Sequence, residues 1–284
     1  MSTEPESGPD PEERRLVARA VDGDQAALRE VIARLQDPLY RLALRMVGRP
    51  ADAEDAVQEI LLRVITRLAT WRGEAKLLTW AYRVGVNHLL NQRRRSAQER
   101  AEIGLDEFRA DLADGLADAD YRGPEAVLLT EETRLSCTQA MLQCLSREER
   151  VVFVLGEVFG LSAAESAWIL ETTPAACQKR LERAKRRLGG FLRSTCGVVE
   201  PSAKCRCARR VDRARQLGRV TDDLVFATHP ITPGGRDVRA AAAQLDHLHT
   251  AAGLLLAHPD YAAPQAKIDA IAGLLTSGRF PLLE

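Results

Sequence analysis

Residues 161–188 read LSAAESAWILETTPAACQKRLERAKRRL, and their local signals predict two helices joined by a tight turn. Ser162 followed by Glu165 forms a capping box, in which the hydroxyl accepts from the amide three residues on and the carboxylate reaches back to the cap amide. Thr172 and Thr173 offer a second cap, and Pro174 suits the first helical position, where its missing N–H is no loss. The second helix, expected to run to about Leu192, carries Gln178, Lys179, Arg180, Arg183, Lys185, Arg186 and Arg187. Upstream, Ser146 with Glu149 predicts another capped helix bearing Val152, Leu155 and Val158, which Gly160 ends. Three capped helices with a short turn between the last two are the layout of a helix-turn-helix, whose final helix enters the DNA major groove by its N-terminal end. Pro174, Ala175 and Ala176 are small enough for close approach, Gln178 and Arg180 offer bidentate hydrogen bonds to base edges, and the later cations reach phosphates. A basic amphipathic helix is also commonly just a solvated surface helix, so this segment alone leaves both readings open.

Outward from this stretch the periodicity stays helical, and aromatic residues make up only 5% of the chain, which argues against a large sheet. The expected fold is all-α. Leu28, Val31, Ile32, Leu35, Leu39, Leu42 and Met46 form a buried stripe, with Pro38 expected to bend or break it. After Gly48 and Pro50, Asp52 is expected to cap a helix whose apolar side is Val57, Ile60, Leu61, Val64 and Leu68; Glu54, Asp55, Gln58 and Glu59 lie opposite. Leu77 to Arg95 reads as a third long helix ending in Arg93, Arg94 and Arg95. Residues 96–124 lose the dense periodicity and end at Gly123 and Pro124, predicting a linker with room for one short helix. The expected organisation is a disordered leader over 1–15, a helical domain over 16–95, an acidic linker over 96–124, a second helical domain over 125–193 and a small, mostly helical extension over 194–284.

Forty basic residues balance forty acidic ones, so partner preference must come from where the charges lie. Residues 96–125 hold nine acids against three bases, residues 178–193 seven bases against one acid, and residues 204–219 again seven against one. The last stretch is expected to extend a contact with DNA or with a protein partner. The N-terminus lacks the apolar core of a secretory signal, and no run approaches the roughly 20 apolar residues that span a bilayer, so a cytoplasmic protein without membrane insertion is expected. No nucleophile, carboxylate pair or phosphate loop points to an enzyme, and no cofactor is required.

Two motifs in order carry a family resemblance. Leu161 to Leu170, then Pro174 and Lys179 to Leu188, resemble region 4 of the extracytoplasmic-function sigma factors of the sigma-70 family. Asp52-Ala53-Glu54-Asp55-Ala56-Val57-Gln58-Glu59 resembles their region 2.2, and Trp71 to Glu74 with Leu78 to Asn87 resembles regions 2.3 and 2.4. The resemblance covers about residues 16–193. It implies a region 2 helical bundle and a region 4 helix-turn-helix, with core RNA polymerase and promoter DNA as partners and an anti-sigma factor as a further possible one. It implies core-polymerase binding by Asp52, Asp55, Gln58, Glu59 and Leu62. It implies −10 contacts by Trp71, Lys76, Trp80, Tyr82, Arg83, Asn87, Arg93, Arg94 and Arg95, whose rings and cations suit an opened strand. Trp80 and Tyr82 read equally well as core. The −35 contacts it implies are Ser162, Ala163, Glu165, Pro174, Ala175, Ala176, Gln178, Lys179, Arg180 and Arg183. The acidic linker resembles the family connector that threads toward the RNA exit path. The sequence departs from the family near Glu171 or Ala175, where a glycine is common, and near Cys177. A helix-turn-helix regulator that binds duplex DNA without polymerase is the other reading.

About 90 residues follow region 4, beyond minimal family members. Val238 to Leu256 and Ala266 to Leu275 read as amphipathic helices there. Cys196, Cys205 and Cys207, spaced C-x8-C-x-C, admit zinc binding with a fourth ligand from His229, His247, His249 or Cys177, thiol redox sensing, or a purely structural role. Cys137, Cys144 and Cys177 sit among apolar residues and are expected to be small core hydrophobes.

Overall fold

The computed structural model describes residues 8–91, 103–123, 125–231, 233, 253–254, 258–265, 269 and 273. The chain is helical there, as expected: α1 (Pro11–Val21), α2 (Gln25–Val47), α3 (Pro50–Thr66), a 3-10 turn (Leu68–Thr70), α4 (Leu77–Asn91), α5 (Leu105–Ala113), α6 (Ala126–Gln143), α7 (Arg147–Phe153) continued by a π-helical turn (Val154–Val158), α8 (Ala163–Leu170), α9 (Pro174–Thr195) and α10 (Cys207–Gln216). An isolated bridge pairs Cys196 with Cys205. Among the described residues no helix is long and apolar enough to cross a membrane. The chain divides into two compact units, 1–95 with 161–178 and 261–284, and 96–160 with 179–260.

In the first unit α2 packs on α1, α3 and α4. Its core joins Leu16 and Val17 of α1, Val31, Leu35, Leu39 and Leu42 of α2, and Val57, Ile60, Leu61 and Val64 of α3, all nearly inaccessible. Each such side chain contributes about 1.5–3 kcal/mol by leaving water. Of the bend or break expected at Pro38, the break does not occur: α2 runs through it. The proline costs about 3 kcal/mol, which burial of its neighbours Leu35, Leu39, Tyr40 and Leu42 offsets. Gly48 ends the helix in the left-handed region at φ 87°, which suits glycine because a Cβ there is strained.

Asp52 is not the cap of α3. Arg49 occupies that position without a side-chain bond, Pro50 begins the helix, and Asp52 lies in the first turn paired with Arg49 at 3.4 Å. The leader is also shorter than expected. α1 starts at Pro11, because Asp10 accepts the Glu12 amide at 3.0 Å, and Glu13 and Arg14 make tertiary bonds described below.

In the second unit α6 packs on α10 through Leu129, Val211, Ala214 and Val220. The buried Glu132 carboxylate accepts the amides of Val225, Phe226 and Ala227, fixing the extension to α6. The linker contains α5, whose Phe108 stacks on Phe191 of α9 with centroids 5.8 Å apart. Three of its carboxylates are paired with arginines of the extension. Asp111 holds Arg219 at 2.9 Å, Asp120 holds Arg209 at 3.1 Å, Asp114 pairs with Arg213, and the Asp114 carbonyl accepts from Arg210 at 2.6 Å. The amides of Ala117 and Tyr121 donate to the carbonyls of Arg209 and Ala208. The basic stretch 204–219, expected to serve DNA or polymerase, therefore has these four arginines engaged by the linker. Arg219 beside Asp111 holds that carboxyl below its ordinary pKa. The expected helices over 238–256 and 266–275 fall almost wholly outside the described residues.

Candidate nucleic-acid interface

α4 and the loop before it are set by α1. Glu13 Oε2 accepts the Leu77 amide at 3.0 Å, supplying the missing bond at the α4 N-terminus, and Arg14 donates to the Gly73 carbonyl at 3.2 Å. Trp71 is buried and donates Nε1–H to the Ala75 carbonyl at 3.0 Å. Tyr82 is 5% exposed, and burial pushes its phenol above the ordinary pKa. Both rings, expected as stacking surfaces, are core in this structure, because the loop folds back on α1 and Tyr82 lies on the inward side of α4. Of the residues expected at the −10 element, Lys76 and Asn87 are exposed and Trp80 and Arg83 half-buried; Arg72 and Glu74 of the loop are exposed beside them. Arg83 is engaged: its guanidinium lies 4.6 Å above the Trp168 ring and donates to Glu171 Oε1 from Nε at 3.1 Å and Nη2 at 2.5 Å. Arg93, Arg94 and Arg95 lie outside the described residues.

On α3, Asp52, Asp55 and Glu59 are exposed and Gln58 and Leu62 half-buried, so all five share the outward side opposite the core stripe. Glu59 stands 3.6 Å from His88 Nε2. Burial, with Arg63 nearby, nevertheless holds His88 below its ordinary pKa; Glu59 only opposes this.

The predicted capping box is present: Glu165 N donates to Ser162 Oγ at 3.1 Å and Ser162 N to Glu165 Oε2 at 2.9 Å. Those two side chains start α8, leaving exposed Ala163 as the outward residue of the three expected here. Thr173 Oγ1 accepts the Ala176 amide at 3.2 Å, so Pro174 opens α9 as read. Between them Glu171 has φ 52°, a left-handed conformation where glycine would be unstrained. This is one of the two positions, Glu171 or Ala175, near which the family resemblance implies a glycine.

Along α9, Ala175, Gln178 and Lys179 are exposed, and Pro174, Ala176 and Arg180 half-buried. Arg183 is held by Glu149 at 2.7 Å and Arg187 by the other oxygen of the same carboxylate. The Glu149 side chain is only 4% exposed. Ser146 Oγ accepts the Glu149 amide at 3.3 Å, so only the hydroxyl half of that predicted box forms and the carboxylate goes to the arginines. Lys185 pairs with Glu157 at 2.9 Å, which raises its pKa. Lys179, Arg180 and Arg186 have no ion pair among the described residues. Gly156 lies where a Cβ would meet Leu181 at 3.0 Å, so glycine lets the π-helical turn approach α9. Sequence reasoning missed Glu149, Trp168 and Glu171 as partners of cations. Arg183 and Arg187, four apart on one helical face, were the available signal for a buried acid opposite.

Residues 31–99 match the family Sigma-70 region 2, and residues 135–188 match Sigma-70, region 4. The chain is 29% identical over 171 residues to the ECF RNA polymerase sigma-E factor of Escherichia coli (strain K12), covering 60% of this chain and 88% of that protein. It is 26% identical over 178 residues to the RNA polymerase sigma-H factor of Pseudomonas aeruginosa, covering 61% and 90%. The solved structure of CnrH in complex with the cytosolic domain of CnrY overlays with a TM-score of 0.43 at 26% identity, over 63% of this chain and 96% of that one. With a region 2 and a region 4 in that order, the first on α2 to α4 and the second on α6 to α9, the chain belongs to the extracytoplasmic-function type of the sigma-70 family: a promoter-recognising transcription initiation factor, which acts by binding and is not an enzyme.

Proposed function

We propose that the chain docks on core RNA polymerase with the outward side of α3, opens the −10 element beside α4 and reads the −35 element with the start of α9. The observation that carries this is the α8-turn-α9 unit, which ends in small residues followed by exposed Gln178 and Lys179 and by Arg180. That is the residue chemistry base edges and phosphates require. Asp52, Asp55, Gln58, Glu59 and Leu62 form the polymerase-docking set. Lys76, Trp80, Arg83 and Asn87, with Arg93, Arg94 and Arg95, form the −10 set; Trp71 and Tyr82 support it from the core. Ala163, Pro174, Ala175, Ala176, Gln178, Lys179, Arg180 and Arg183 form the −35 set, and Ser162 with Glu165 position α8. The site of action is the cytoplasm, where the polymerase is. Run-off transcription with core polymerase on genomic fragments, including the gene's own upstream region, tests this: specific initiation is expected, and failure to bind core polymerase would overturn it.

A second element of the proposal concerns the extension, which acts as a regulator in cis and stands in for or beside a separate anti-sigma factor. Its support is the engagement of Asp111, Asp114 and Asp120 of the linker by arginines of α10 and the turn after it. A linker held this way is not free to follow the polymerase surface. Deleting residues 196–284, or reversing charge with Arg213→Glu and Arg219→Glu, should raise run-off transcription; unchanged activity in both would count against cis regulation.

A further inference from the structure

The extension meets α6 through two antiparallel helical faces. Leu129, Thr133 and Cys137 follow one another at four-residue spacing on α6, and Cys207, Val211 and Ala214 at four- and three-residue spacing on α10. Leu129 packs against Val211 and Ala214, at the far end of both series. Continuing the two faces from that contact brings Cys137 opposite Cys207. Cys205 is two residues from Cys207 and is the bridge partner of Cys196, with Gly197 N donating to the Cys205 carbonyl at 2.9 Å. Bridge partners on adjacent extended segments lie about 5 Å apart. Four free thiols from three places in the chain therefore converge: one from region 4, one from the end of α9 and two from the start of α10.

The electrostatic surroundings agree. Burial raises the thiol pKa of Cys137 well above the ordinary value, and the thiols of Cys207, Cys205 and Cys196 raise it further. Cys207 is pushed to about 12, by burial first and then by Cys196 and Cys205. Cys144 and Cys177 do not figure among the charges acting on either. Arg134, 3% exposed and paired with Glu131 at 2.5 Å, acts on Cys207, and Arg210, 4% exposed and donating to the Asp114 carbonyl at 2.6 Å, acts on Cys137 and Cys205. A divalent ion with four thiolates carries net charge −2, so cations near the cluster favour the loaded state even though their own partners offset part of their charge. Slow redox chemistry is the weaker reading of the same thiols, because raised pKa values deplete the nucleophilic thiolate.

We propose that Cys137, Cys196, Cys205 and Cys207 form a four-thiolate site for a zinc-class divalent metal ion, which fastens the C-terminal extension to the first helix of region 4. Among the described residues no three His, Cys, Asp or Glu side chains already stand in metal-ligand geometry, so loading requires the four thiols to draw closer together than they stand in this structure. The ligand set differs from the one the sequence suggested: the fourth donor is Cys137, in place of His229, His247, His249 or Cys177. The pairing C-x8-C-x-C supplies three ligands, and the sigma domain supplies the last, so loading couples the extension to the domain it contacts.

The full-length protein, purified without oxygen and reloaded with zinc after chelation, tests this by metal analysis, and cobalt in place of zinc gives a visible spectrum that reports ligand type without any substitution. One metal per chain is expected, with intense sulfur-to-cobalt charge-transfer bands and tetrahedral ligand-field bands. Cys137→Ser, Cys196→Ser, Cys205→Ser and Cys207→Ser should each lower the loading or weaken the charge-transfer band, whereas Cys144→Ser should leave both unchanged. The site is overturned if the unsubstituted protein binds no stoichiometric metal, if cobalt binds without sulfur bands, or if Cys137→Ser leaves loading and spectrum intact. A Cys196–Cys205 disulfide in metal-free protein prepared without oxygen would overturn it equally.

Discussion

α4 and α9 are the two helices proposed to meet DNA, and they hold their side chains in opposite ways. α4 is packed on by α2, α3 and α8, so even its aromatic ring at position 82 is core, and the one arginine on it, Arg83, is held by Glu171 and Trp168. α9 has a single apolar side, made by Ala184, Leu188, Phe191 and Leu192, and its cations divide between those anchored by Glu149 and Glu157 and those with no ion pair among the described residues. A helix enclosed by neighbours lets few residues reach a ligand, whereas an amphipathic one gives up a whole face. Chemical suitability of a residue type therefore goes with outward exposure better on α9 than on α4.

The sharpest break in this comparison is between two neighbouring rings on α4. Tyr82→Ala should cost about 3–5 kcal/mol of stability, as large-to-small core changes do, read as a lower urea midpoint. Trp80→Ala should leave the midpoint near that of the unsubstituted protein yet slow open-complex formation by about 5- to 150-fold, the equivalent of about 1–3 kcal/mol for a lost base stack. If Tyr82→Ala left stability intact and abolished melting, the burial argument for α4 would be wrong.

On α9, Glu149→Ala should cost about 2–3 kcal/mol in urea denaturation. Removing one member of a buried ion pair typically costs more, but Arg183 and Arg187 are half exposed and water recovers part of their charge. Arg180→Ala should weaken binding to a −35 duplex by about 1–3 kcal/mol with relaxed specificity if it reads a base. Lys179→Ala should instead lower the salt dependence by about 0.9 in log–log slope if it neutralises one phosphate. The two titrations separate base reading from phosphate contact.

Glu171→Gly couples the two helices. It relieves a left-handed residue, worth about 1 kcal/mol, and removes a surface ion pair worth about 0–1 kcal/mol. Stability should rise slightly or stay level while Arg83 is released, so forked −10 DNA should bind more tightly; unchanged binding would show that Arg83 is not restrained by this contact. The smallest effect is the pH dependence of His88. Its folded pKa lies below the ordinary 6.5, so the unfolded chain binds the extra proton first. Its contribution is full above about 6.5 and is lost as pH falls from there through the depressed folded value. His88→Gln should flatten the stability profile in that window, as thermal denaturation against pH will show.

The legible parts of the fold were those written in local signals. Ser162 with Glu165, Thr173 before Pro174 and the stripes on α2 and α3 each fix a helix through bonds or periodicity within a few residues, and each stands in the structure. Asp52 and Pro38 misled because a cap or a breaker is a weak local preference, and packing on several core side chains outweighs it. The acidic linker and the basic stretch 204–219 were each visible as charge runs. That they pair with each other was not visible, since about 90 residues separate them and nothing local records which partner a charge takes.

The sequence by itself determined the family, the helical class and the outward faces of α3 and α9, because capping chemistry, helical period and motif order are properties of neighbouring residues. Only the tertiary structure decided that Trp71 and Tyr82 are core, that Glu149 governs two arginines of α9, that the linker belongs to α10, and that Cys137 joins the cysteines of the extension. Those assignments depend on which surfaces meet when distant segments pack, and burial and charge pairing are settled there, where the low-dielectric interior multiplies small differences in position.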